Sequence, residues 1–110
     1  DVLPTPTPTP RPGVWVGAVT SNTSGDAWSG AWSTMIVKIP GVDGLPITLD
    51  SSGGYITTCI TGTKPEYGPG ACEVGGLWPA TYRVIPEGLG PSVDVWLDGA
   101  GSATVEFWIQ

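Results

Sequence analysis

Cys59 and Cys72 are the only cysteines of this 110-residue chain, which contains no histidine. Without imidazole, Ser-His-Asp triads and histidine acid–base chemistry are excluded. Two thiols with no further nitrogen or sulfur ligands make a poor metal site. In a turn-rich acidic domain they point to one disulfide, made in an oxidising compartment. The carboxylates offer two other chemistries. Asp94 and Glu106 are expected to share an outward sheet face, and a carboxylate pair is what glycoside hydrolysis needs. As solubilising residues on a wetted face they need no such role, and that reading is preferred. Asp43 and Asp98 stand in glycine-containing turns, where an oxygen suits Ca²⁺ or, far more commonly, the turn's own N–H groups. "GDAWSG" and "DGAGS" lack the lysine and the helix of a phosphate loop. The expectation is a protein without catalysis, metal or cofactor.

Six tryptophans are heavy usage for this length. Trp96 and Trp108 are expected to point outward as a pair, forming a protein interface or a sugar-stacking platform. Trp28, Trp32 and Trp78 are expected to pack within the chain, and the faces of Trp15 and Trp32 are not fixed by alternation. Asn22-Thr23-Ser24 is a glycosylation sequon. Thr5, Thr7 and Thr9, each flanked by proline, have the composition of O-glycosylated stalks.

The elements that must position these residues are strands. Short Val/Ile/Thr/Trp-rich runs at 14–21, 31–40, 45–50, 54–61, 71–75, 80–86, 92–98 and 102–109 are separated by Gly/Pro/Asp/Ser clusters, with no helical period anywhere. "SVDVWLDGAGSATVEFWI" reads as a hairpin turning at Asp98-Gly99-Ala100-Gly101. Its inward positions are Val93, Val95, Leu97, Ala103, Val105, Phe107 and Ile109. The chain is one domain at 14–110, preceded by an extended Pro/Thr-rich segment at 1–13. Ten acidic residues against four basic ones give a net charge of −6, which repels a nucleic-acid backbone. No apolar run reaches membrane-spanning length. The start at Asp1, without Met or a signal peptide, suggests a processed protein or a fragment.

In the segment "LPTPTPTPRPG", proline takes every even position from Pro4 to Pro12. In an extended chain, alternate residues turn their backbone groups to opposite edges, so these prolines remove the donors from one edge only. Thr5, Thr7, Thr9 and Arg11 keep theirs. Each residue before a proline is held in the β or polyproline region, so the segment is extended before it meets anything. It can serve as a solvated polyproline spacer. It can also pair with one exposed sheet edge and refuse a second.

"VDGLPITLDSSGGYITTCITG" and "GGLWPATYRVIPEG" together resemble carboxypeptidase-regulatory-like and Cna-B-type domains. Asp43, Gly44, Pro46, Ile47 and Leu49 approximate their D-x-x-G-x-P-[VI]-x-[VL] strand, with the glycine one place early. Gly75 or Gly76, Leu77, Pro79, Tyr82 and Val84 follow G-x-L-x-P-G-x-Y-x-V, with Ala80 in the usual glycine position. The resemblance covers about 36–109 and implies an all-β, seven- or eight-stranded Ig-like or prealbumin-like sandwich on a secreted or cell-surface protein. Some Cna-B domains carry a Lys–Asn isopeptide bond between first and last strands. Lys38 sits on an early strand here, but "SATVEFWIQ" supplies no asparagine, so Cys59–Cys72 is the expected covalent staple. Two functions from different classes follow. The first is a structural subunit of an extracellular filament, pilus-like fibre or surface layer. Its contacts with copies of itself would run through Thr5, Thr7, Thr9, Trp96 and Trp108. The second is a glycan-binding or adhesion module tethered by a Pro-Thr linker.

Overall fold

A computed structural model describes residues 14–23 and 32–110. They form eight strands: β1 (Trp15–Asn22), β2 (Ser33–Lys38), β3 (Pro46–Ser51), β4 (Ile56–Ile60), β5 (Ala71–Leu77), β6 (Ala80–Pro86), β7 (Val93–Leu97) and β8 (Ser102–Ile109). A single 3-10 turn, Pro65–Tyr67, is the one helical element among the described residues. The segment 1–13, with Thr5, Thr7 and Thr9, lies outside the described residues, as does Trp28.

Two four-stranded sheets, ordered β1-β8-β2-β5 and β4-β3-β6-β7, face each other as a sandwich. All pairings are antiparallel except β2 with β8, which run parallel. Alternation drives the arrangement, since β2, β3, β6, β7 and β8 bury alternate side chains along most of their length. β2 is the cleanest case: Ser33, Met35 and Val37 are buried while Thr34, Ile36 and Lys38 are only partly covered. Met35, Val37, Leu77, Val105 and Phe107 from one sheet meet Ile47, Leu49, Tyr82, Val84, Val95 and Leu97 from the other. Each such side chain contributes about 1.5–3 kcal/mol by leaving water. Gly17 on β1 permits the close packing of Phe107, because a Cβ there would collide with the Phe107 ring.

The Cys59–Cys72 disulfide joins β4 of one sheet to β5 of the other, with the Cα atoms 5.8 Å apart. It staples one side of the sandwich. On the opposite side, β1 approaches β7, and the Asn22 side-chain amide donates to the Trp96 carbonyl at 3.1 Å.

The hairpin expected at 92–109 is not formed. β7 pairs with β6 and β8 pairs with β1 and β2, so Asp98–Gly101 carries the chain from one sheet to the other. The corner is held by Ser33, fully buried at the start of β2. Its hydroxyl accepts from the Gly99 N–H and donates to the Ala100 carbonyl, both at 3.1 Å. Asp98 steadies the corner by accepting from the Ala100 N–H at 2.9 Å. The corner is thereby tied to β2, and β8 leaves it alongside β2. Ile109, expected to face inward, is half exposed, because it ends β8 opposite Trp15 at the margin of the core.

Candidate functional site

Four large aromatics surround one cleft. Trp32 leads into β2, Tyr55 into β4, Trp78 stands between β5 and β6, and Trp96 projects outward from β7. The cleft measures about 630 Å³ and is lined as well by Pro79, Ala80 and the Ser51–Gly53 turn. Pockets that hold ligands span roughly 300–1,000 Å³. The rings of Trp32 and Trp78 lie 5.2 Å apart at an interplanar angle of 56°. Trp32 is 58% exposed, Trp78 52%, Tyr55 54% and Trp96 42%. The rim is anchored from below by Tyr82, whose buried hydroxyl donates to the Trp78 carbonyl at 2.6 Å. Burial pushes the Tyr82 phenol above its ordinary pKa.

A polar hollow adjoins the cleft at Ser51 and Ser52 and extends over Asp50, Thr81, Arg83 and Asp94. Arg83 Nε donates to Asp94 Oδ1 at 3.0 Å, and this bond raises the guanidinium pKa further. Both side chains are largely exposed, so the pair adds little stability.

β4 is an edge strand, and its open side can be read from its bonds to β3. The Ser51 N–H donates to the Tyr55 carbonyl at 2.8 Å and the Thr61 N–H donates to the Leu45 carbonyl at 3.0 Å. Between these bonds the antiparallel register pairs Leu49 with Thr57 and Ile47 with Cys59. Tyr55, Thr57, Cys59 and Thr61 therefore turn their backbone groups toward β3, and Ile56, Thr58 and Ile60 turn theirs away. No other described residue bonds to those three N–H groups; the Ile60 carbonyl accepts from the Thr63 hydroxyl at 2.7 Å. Ile56 and Ile60 are exposed beside them. The β5 and β7 margins are partly occupied. The Ala71 carbonyl of β5 accepts from the Gly62 and Lys64 N–H groups, and the Trp96 carbonyl of β7 accepts from Asn22.

The structure brings together a different set of residues from the expected one. Trp96 and Trp108 are both exposed but lie on the outer faces of different sheets, so they form no pair. Asp94 on β7 and Glu106 on β8 are separated in the same way, which removes the carboxylate pair; Asp94 bonds to Arg83 instead. Trp32 and Trp78, expected inside, are exposed at the cleft. Each flanks a strand among Gly, Ser and Pro residues, a context of turns and not of alternation, and that context was the available signal. Tyr55 was missed for the same reason. Asn22 is exposed on β1 with its amide on the Trp96 carbonyl, and Ser24 of its sequon lies outside the described residues. Asp43 is exposed and its carboxylate lies against Gly62. Among the described residues, no three His, Cys, Asp or Glu side chains are placed to hold a metal ion, and no helix is long and apolar enough to cross a membrane. A disulfide in so small a domain suits an extracellular setting. Comparison with protein-family models, curated proteins and solved structures finds no match.

Proposed function

We propose that this protein is a structural subunit of an extracellular filament, pilus-like fibre or surface layer, joined to copies of itself through its N-terminal Pro-Thr segment and its exposed aromatics. The observation that carries this reading is the cleft ringed by Trp32, Tyr55, Trp78 and Trp96. Exposed aromatic surface of this kind is what proline-rich segments stack upon, and this chain carries such a segment. A contact between two unlike surfaces of identical subunits is head-to-tail and propagates when it does not close into a ring. The prealbumin-like reading of the sandwich is supported by Ile47, Leu49, Leu77, Tyr82 and Val84, the large apolar motif positions, which face one core. The test is particle size by sedimentation and electron microscopy. The full chain should form filaments, and a chain lacking residues 1–12 should remain monomeric. Filaments from the truncated chain would overturn the reading.

The polar hollow beside the cleft favours a second reading, a glycan-binding or adhesion module. Aromatic faces next to Arg83, Asp94 and Asp50 match a sugar's apolar faces and hydroxyls. A monomeric protein whose tryptophan emission shifts on adding polysaccharide would establish it over the first.

A further inference from the structure

We infer that the open edge of β4 receives the Pro-Thr segment of a second copy as an added antiparallel strand, with Thr5, Thr7 and Thr9 opposite Ile60, Thr58 and Ile56. This rests on the assembly reading above and specifies its contact. The two edges match group for group. Ile56, Thr58 and Ile60 are successive outward-turned residues of β4, each with an uncommitted N–H among the described residues. Thr5, Thr7 and Thr9 are the residues of the segment that keep an N–H, at the same spacing of two. In an antiparallel ladder, residues spaced by two exchange both bonds with their opposite number.

The prolines fit the positions between. In this register Pro4, Pro6, Pro8 and Pro10 fall opposite Thr61, Cys59, Thr57 and Tyr55, whose backbone groups are turned toward β3. No donor is needed from a residue at those places, so the missing N–H groups cost nothing. Pro10 lands opposite Tyr55, where the edge meets the aromatic cleft. Thr7 faces Thr58, and Thr5 and Thr9 face the exposed isoleucines, pairings of β-branched side chains that stabilise a sheet. The far edge of the docked segment then offers carbonyls without donors, so no third strand adds and each subunit accepts one segment.

With Thr9 opposite Ile56, the donor must be another molecule. β1 and β4 lie at opposite margins of the sandwich, β1 beside β7 and β4 beside β5. A strand added outside β4 lies about 19 Å sideways and about 10 Å across from β1, roughly 21 Å in a straight line through the core. The five steps from Thr9 to Val14 span at most about 18 Å. In this register the segment cannot reach the edge of its own domain.

The experiment uses the full chain with two single substitutions. Thr58→Pro removes the central outward N–H and none of the β3–β4 bonds; Thr7→Pro removes the matching donor and leaves the folded domain untouched. Each variant alone should be monomeric, by sedimentation, where the wild type forms filaments. Mixed in equal amounts they should form dimers and nothing longer, since one supplies an intact segment and the other an intact edge. Filaments from folded Thr58→Pro protein, with loss of filaments on deleting residues 1–12, would overturn the edge assignment and keep the assembly reading. A wild type that stays monomeric at every concentration overturns both. Should Thr58→Pro fail to fold, hydrogen exchange on the wild type decides. Amides of Ile56, Thr58 and Ile60 protected only in filaments support the assignment, and unprotected amides overturn it.

Discussion

The hydroxyl of Tyr82, wholly buried on β6, donates to the carbonyl of Trp78 at the rim of the aromatic cleft, 2.6 Å away. The core thereby holds the cleft rim in place through one bond across the Trp78–Ala80 bend. Tyr82→Phe should lower unfolding free energy by about 1 kcal/mol, the usual worth of such a bond. Urea denaturation followed by tryptophan emission measures it, and an unchanged midpoint would refute it.

Alkali should act through the same phenol. Burial raises its pKa in the folded state, so folding favours the protonated form. Its contribution is complete below the ordinary tyrosine value of about 10 and is lost as pH rises through the higher folded value. Melting temperatures recorded from pH 8 upward should fall more steeply above about pH 10 in wild type than in Tyr82→Phe.

Reducing Cys59–Cys72, or replacing both residues with serine, should destabilise the sandwich by roughly 3 kcal/mol, the worth of closing a loop of about 15 residues. Denaturant midpoints with and without reductant test the size of the effect. Mass spectrometry of the untreated protein should find no free thiol.

Ser33 carries the sheet-crossing corner. Ser33→Ala removes two 3.1 Å bonds, from the Gly99 N–H and to the Ala100 carbonyl, and should cost about 1–3 kcal/mol. A thermal melt unchanged from wild type would show that the corner holds without it.

The exposed tryptophans should separate binding from folding. Trp32→Ser with Trp78→Ser, and Trp96→Ser alone, should leave cooperative unfolding intact and weaken filament formation or polysaccharide binding. Trp108→Ser, on the other sheet's outer face, should affect the cleft's ligand least. Loss of cooperative unfolding in any of them would mean that the ring is structural.

Strand positions were legible because β-branched residues alternate with polar ones and Gly/Pro clusters mark the ends. Eight strands lie at closely similar bounds to those expected. The partners of β7 and β8 were not legible. Val95 and Leu97 face the same core as Ala103 and Val105 whether the strands share a sheet or oppose each other, so alternation cannot tell a hairpin from a corner. The residue that ties the corner to β2, Ser33, is a small polar side chain far away in sequence. The cleft was illegible for a related reason: Trp32, Tyr55 and Trp78 occupy strand flanks, where period-two reasoning assigns no face. The disulfide was readable from cysteine count alone.

The parallel pairing of β2 with β8 also governs the order in which the molecule can be assembled. β8 is the inner strand that holds β1 on one side and β2 on the other, so the earliest residues of the domain have no sheet to join until 102–109 arrive. The β4-β3-β6-β7 sheet draws on nearer partners, its longest span being that from β3 to β6, and can form first. Contacts between distant residues are slow to close, because the intervening chain must be ordered before they form. Folding should therefore run in two stages, with β1 and the segment ahead of it remaining untethered until the last. In the assembly proposed above, a subunit would become ready to exchange its N-terminal segment only at the moment its final strand slides into the centre of the sheet.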